Sequence, residues 1–272
     1  MNKLQKYIFN CMNENTICHY STIETAIQKI LFTNKLKFSS VKMVNDPFEY
    51  FDITIGYGGK LPLNFDNKIR EEMNRQLLSI MRKSVDKCQN YKIACFCRNE
   101  EGANLHHFSY DKLGFAKPRM WTQYGDSHKG CCIVFDKTKL EENIRHQGIN
   151  IVKSSSIEYL NSYDLFKNYP HGDYSELKKY GYDGYQEKMI ENLVNHYFRK
   201  HLDFCNENEY RIVIESELED QYIIVKNTIK MIVVSDKIDN FFLEYLRNYT
   251  KQNRIPIIRI FWNRRIIDFK EF

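Results

Sequence analysis

The stretch Met120–Asp136, M-W-T-Q-Y-G-D-S-H-K-G-C-C-I-V-F-D, constrains the fold more than any other part of the chain. Gly130 opens an unbroken apolar run, Cys131 to Phe135, of the kind that forms a buried strand. Upstream, Trp121 and Tyr124 are three residues apart, so on a short helix the two rings share a face. Gly125 and Asp126 end that turn, and Asp126-Ser127-His128-Lys129 forms a polar loop before the strand. Flat apolar surface beside a few directional groups makes a ligand wall. The same residues also fit a plainer role, a tryptophan anchoring a helix onto a sheet.

A chain of 272 residues with 43% hydrophobic and 14% aromatic content can bury a substantial core. The formal charge of +5 is spread along the chain, which permits an anionic ligand or nucleic acid without demanding one. The eight cysteines are scattered and include no C-x-x-C pair, so no metal is expected. The first residues lack the apolar core of a signal peptide, and no apolar run is long enough to span a bilayer. The expectation is a cytoplasmic protein with reduced thiols and no membrane partner.

In chain order, Leu4–Met12 reads as a short amphipathic helix and Thr16–Tyr20 as a strand. Ser21-Thr22-Ile23-Glu24 has the form of a capping box, and Ile23, Ala26, Ile27, Ile30 and Leu31 continue at helical spacing to about Thr33. His19 thus stands at a strand end before a helix N-terminus, where backbone amides favour an anionic or polyhydroxylated ligand. Asn45-Asp46-Pro47-Phe48-Glu49 is a turn. A long helix is expected over Lys68–Lys87, a strand over Tyr91–Cys97 and an exposed loop over 98–118. Helix Leu140–His146 and extended segments Ile149–Val152 and Ile157–Tyr159 follow. Residues 161–185, rich in Tyr, Asp and Gly, read as a loop or insertion, with a helix from Gln186 to about Leu202.

The segment Asn206–Glu215 alternates cleanly. Tyr210, Ile212 and Ile214 take one face, and Glu209, Arg211, Val213 and Glu215 take the other. The second face either presents a carboxylate and a guanidinium to a ligand or is a solvated face with weak cross-strand ion pairs. Strand Ile229–Val234, helix Asp239–Tyr249 and strand Ile255–Trp262 complete the chain. With no internal repeat or linker, the expected architecture is a single α+β domain over residues 1–272. Its sheet is mixed, largely antiparallel and flanked by helices.

Four segments together resemble a bacterial family catalogued as a domain of unknown function. They are H-Y-S-T at His19–Thr22, N-D-P-F-E at Asn45–Glu49, the stretch Met120–Asp136, and E-x-E-Y-R-I at Glu207–Ile212. A more distant resemblance is to the ADP-ribosyltransferase superfamily of the His-Tyr-Glu kind. It rests on an early strand ending in His-Tyr-Ser, aromatics mid-chain and a late strand carrying Glu. That resemblance implies a split β-sheet with NAD, as co-substrate, in its cleft. His19, with Tyr20 and Ser21 beside it, would hold a ribose hydroxyl, and Trp121 or Tyr124 would stack on nicotinamide. Glu209 would bond the nicotinamide ribose and stabilise the oxocarbenium-like transition state, with Arg211 beside it and Glu207 orienting or activating the acceptor. Asn45, Asp46, Glu49 and His128 would face the substrate. Tyr20, Tyr124 and Tyr159 compete for the stacking role.

The expected activity is transfer of ADP-ribose to a macromolecule, nucleic acid or protein, as a bacterial toxin or antiphage effector would perform it. Two other classes stay open. One is a non-catalytic nucleic-acid or partner-binding module using stacked tyrosines among basic residues. The other is a metal-dependent nuclease built on Asp46, Glu49, Glu207 and Glu209.

Overall fold

The computed structural model describes residues 1–41, 67–263 and 266–271. In chain order the first half contains α1 (Lys3–Asn10), β1 (Thr16–Ser21), a π-helical segment (Thr25–Leu31), β2 (Lys35–Ser40), α2 (Asn67–Cys88) and β3 (Tyr91–Arg98). A 3-10 turn (His107–Lys112), α3 (Pro118–Gln123), β4 (Cys131–Asp136), α4 (Lys137–His146), β5 (Ile151–Ser156) and β6 (Glu158–Leu160) follow. The remainder is α5 (Ser162–Lys167), α6 (Tyr174–His196), β7 (Arg199–His201), a 3-10 turn (Leu202–Glu207), β8 (Glu209–Glu215), β9 (Gln221–Ile224), β10 (Ile229–Ser235), α7 (Asn240–Asn253), β11 (Ile257–Asn263) and β12 (Ile266–Glu271).

Ten of the described strands form one sheet, and β6 and β7 pair separately. The long run is β12-β11-β10-β4-β1-β3-β8-β5, antiparallel except for the parallel β10–β11 pair. This is the expected mixed, largely antiparallel α+β arrangement. The sheet forks at β3. Strand β8 takes the whole of one edge of β3, from Tyr91↔Glu215 to Cys97↔Glu209. The opposite edge is shared: β1 pairs only at Cys97 and Arg98, and β2 only at Lys92 and Ile93. Between these contacts, at Ala94–Phe96, β1 and β2 diverge and β2 carries β9 away with it.

Side-chain alternation puts different cores on the two faces. One face is continuous: Ile17, Phe96, Ile133, Phe135, Tyr210, Ile212 and Ile214 pack under the π-helical segment, α4 and α7. The other face carries two cores. Cys18, Tyr20, Cys97 and Val134 pack with α1, α3 and residues 113–116, whereas Ile93 and Val213 pack with α2 and α6. The seam between these two cores lies where the sheet forks.

Several local expectations are corrected. The capping box at Ser21 does not form, because Ser21 remains in β1 opposite Cys131 and Thr22 accepts from the Thr25 N–H at 3.2 Å instead. The helix that follows winds with five-residue hydrogen bonds, as from Phe32 N–H to the Ile27 carbonyl at 2.9 Å. Residues 98–118 are an exposed loop only in part, with exposed positions at 100–102, 104 and 106. Leu113, Phe115 and Ala116 are fully buried, and the Trp121 indole donates to the Phe115 carbonyl at 3.0 Å. Residues 161–185 are largely helical. Asp173 caps α6 by accepting from Ser175 and Glu176, and Tyr174, Leu177, Tyr185 and Met189 are buried from it despite the left-handed φ of 70° at Gly181. The expected helix to Leu202 stops at His196, and the chain turns into β7 beside β6.

No helix of the described residues is long and apolar enough to cross a membrane.

Candidate active site

The fork in the sheet opens into a cavity of about 470 Å³, within the range of small-molecule sites. Its walls come from the diverging ends of β1 and β2, the uncovered edge of β3 and the C-terminal end of α3. Its floor is β8 with the turn before it. A larger depression of about 910 Å³ lies over α1 and the start of β10, but none of the candidate residues lines it.

The uncovered edge of β3 explains His19. Beyond Cys18 the β1–β3 ladder stops, leaving the Cys95 carbonyl without a β1 amide, and the His19 ring takes that carbonyl through Nδ1 at 3.1 Å. A carbonyl only accepts, so Nδ1 carries the proton and Nε2 of the neutral ring is an acceptor. Burial lowers the His19 pKa, with the Cys95 hydrogen bond opposing, which keeps the ring neutral. Its face leans on Phe96 at 5.8 Å between ring centroids.

At the floor, four charges are packed together. Glu207, Glu209, Lys200 and Arg211 are 2%, 5%, 5% and 1% exposed. Arg211 Nε and Nη2 donate to Glu209 Oε1 and Oε2 at 2.5 and 3.0 Å, a bidentate fork. Lys200 Nζ donates to Glu207 Oε2 at 2.8 Å and to Glu209 Oε2 at 3.2 Å. Among the described residues, two carboxylates here meet two cations. Burial pushes the Glu209 carboxyl up, but the Arg211 guanidinium and then the Lys200 ammonium outweigh it and hold the pKa below the usual carboxylate range. Among the described residues, no three His, Cys, Asp or Glu side chains come together to hold a metal ion.

The turn ahead of β8 aims both carboxylates into the cleft. Asn208 is left-handed, with φ 44°, and its Nδ2 donates to the Arg98 and Asn99 carbonyls at 3.1 and 2.9 Å. Arg98 N–H donates to the Asn208 carbonyl, and the Cys97 thiol to the Glu207 carbonyl. The Glu209 N–H donates to the Tyr159 hydroxyl at 2.8 Å.

The sequence candidates are thus only partly brought together. His19, Tyr20, Tyr124, Glu207, Glu209 and Arg211 line the cavity. Tyr20 does so with its ring turned away, packed edge-on to Trp121 with its hydroxyl on the Gly114 carbonyl at 2.8 Å. Tyr159 spends its hydroxyl on Glu209. Of the three, Tyr124, 38% exposed at the end of α3, lines the cavity with its hydroxyl accepting from the Gln123 amide at 3.2 Å. Burial and the nearby Glu207 raise its pKa to about 12, so it is a neutral phenol.

Trp121 and His128 do not reach the cavity. Trp121 is fully buried and, instead of sharing a face with Tyr124, fastens α3 to the sheet. His128 packs against Trp262 at 4.5 Å, held in a left-handed run that also includes Asp126 and Ser127. Ser21 does not line the cavity either. Asn45, Asp46 and Glu49 fall outside the described residues. Sequence reasoning missed Lys200, Cys95, Gln123 and Phe204, which line the cleft as well. Nothing in the sequence singled out Lys200, whose partners Glu207 and Glu209 lie seven and nine residues further on.

Comparison with known proteins adds one finding. Residues 120–212 match the family model described as protein of unknown function (DUF2971). The match runs from α3 into β8 and contains Tyr124, Lys200, Glu207, Glu209 and Arg211, while the His19 segment lies outside it. No curated protein and no solved structure matches the chain.

Proposed function

We propose that the forked-sheet cleft binds NAD and that the chain cleaves the nicotinamide–ribose bond, passing ADP-ribose to a macromolecular acceptor, protein or nucleic acid. One observation carries this reading: the fork in β3 brings the neutral His19 acceptor and the Glu207/Glu209 pair to one cavity, with the Tyr124 ring beside them. Such a constellation suits a ligand with hydroxyls at two ends and a flat aromatic group between polar walls.

Each residue has a role in that chemistry. His19 Nε2 accepts from a ribose hydroxyl. The Tyr124 ring offers a stacking surface to nicotinamide. Breaking the C1′–N bond builds positive charge on the ribose, and an ionised carboxylate fixed in a water-poor floor stabilises that charge without having to reorganise. Nicotinamide leaves from a nitrogen that is already cationic, so no general acid is required. Lys200 and Arg211 hold the carboxylates in place. A toxin or antiphage effector is the biological setting this activity fits.

The test is nicotinamide release from NAD by the purified protein, alone and with cellular protein, RNA or DNA. Release is expected, to fall about 10²- to 10³-fold when the cleft carboxylates are changed to glutamine. Dependence on one polymer would identify the acceptor class. A folded protein that releases no nicotinamide with any acceptor would overturn the reading.

A further inference from the structure

The two cleft carboxylates are not equivalent. Both oxygens of Glu209 are engaged: Oε1 by Arg211 Nε, and Oε2 by Arg211 Nη2 and Lys200 Nζ. Glu207 shares Lys200 through Oε2, but its Oε1 is buried with no hydrogen-bond partner among the described residues. A buried charged oxygen left without a donor is costly, and it is tolerated where a ligand completes it. The residue is not loose. The turn carrying it is pinned to the end of β3 through Asn208 and through the Cys97 thiol on its carbonyl. Glu207 lines the same cavity as His19 and Tyr124.

We infer that Glu207, rather than Glu209, is the carboxylate that touches the ligand, and that Glu209, Lys200 and Arg211 are positioning residues that hold it. The inference rests on the NAD reading for the ligand's identity. The chemistry at the atom is narrower. Glu207 Oε1 is acceptor-only, so the group meeting it must bring an O–H or N–H. A ribose diol qualifies, whereas a phosphate oxygen would be repelled. Any pyrophosphate of the ligand must therefore lie elsewhere, away from this part of the floor.

The experiment compares Glu207→Asp with Glu209→Gln by thermal melting and by calorimetric NAD titration. Glu207→Asp keeps the charge opposite Lys200 but withdraws the oxygen by one methylene. It should melt within about 2 °C of wild type and lose NAD affinity by about 100-fold. Glu209→Gln strips the Arg211 fork and half of the Lys200 pairing, and should melt at least about 5 °C lower. A Glu209→Gln chain that does not fold counts with the lower melting. NAD binding by Glu207→Asp equal to wild type, or melting of the two variants at one temperature, would overturn the inference. If wild type itself ignores NAD, the dinucleotide reading fails, and the melting order still decides the division between the two carboxylates.

Discussion

Burial sets the acid sensitivity of individual residues. His196 is buried at the end of α6, against the ring of Tyr169, and burial lowers its pKa to about 4, with Arg199 and Arg211 adding to the effect. A histidine whose folded value lies below its unfolded value of roughly 6.5 favours the unfolded state as protons arrive. Its contribution is neutral above that value and falls progressively between pH 6.5 and 4, by about 3 kcal/mol. His19 acts in the same direction. Glu209, held below its unfolded value, adds stability above the usual carboxylate range that is lost as pH drops through its folded value. Urea unfolding across pH should therefore show stability falling from pH 6.5 downward, and His196→Phe should flatten part of that fall. A profile that is level from 6.5 to 4 would contradict the assignment. At this scale the sequence was half legible. The alternation Glu209-Arg211-Val213 is read correctly as one face, but spacing cannot distinguish a solvated face from a buried one, because that depends on α6 and β7 arriving from elsewhere. Lys200 was hidden for the same reason: its partners lie seven and nine residues away, across a turn.

Elements meet at close approaches that only certain residues allow. Gly130 immediately precedes β4 beside the end of β1, and a Cβ there would lie 2.2 Å from the Ser21 carbonyl oxygen. Gly130→Ala must push β4 off β1 just where β1 starts to leave β3, and should cost roughly 3 kcal/mol in denaturant unfolding. Unchanged stability would mean that the two strands separate more readily than their ladder implies. Strand β4 itself was legible, since five consecutive apolar residues after a glycine leave little alternative. So were β1, β3 and β8. The helical nature of 161–185 was obscured by a composition rich in Tyr and Gly, although Asp173 supplies a cap and its apolar residues recur at helical spacing. The short strands β6, β7 and β9 carry no periodicity long enough to read. Strand β9 is stabilised by distant partners, with Asn143 of α4 and Gln147 at its C-cap bonding the Ile224 backbone on the side away from β2.

In the whole molecule, the cleft follows from the distribution of cores. One face of the sheet is covered by a continuous apolar layer, while the other is split into two cores with the charged floor at their seam. Burying four charges at such a seam contributes little net stability, and the arrangement makes sense as a site supported by the cores on either side. The fork itself was not legible from the chain, because it depends on β1 and β2 sharing one edge of β3, a pairing that no local pattern encodes. What the sequence did offer was the set of segments that converge on it: His19 at a strand end, Tyr124 at a helix end and the two glutamates around Asn208. The most direct test of the cleft as a dinucleotide site is an NMR titration of the imidazole resonances with NAD. The His19 signal should shift with NAD while that of His128, behind α3 and against Trp262, stays in place. No movement of His19 at millimolar NAD, or movement of His128 in its stead, would contradict the account.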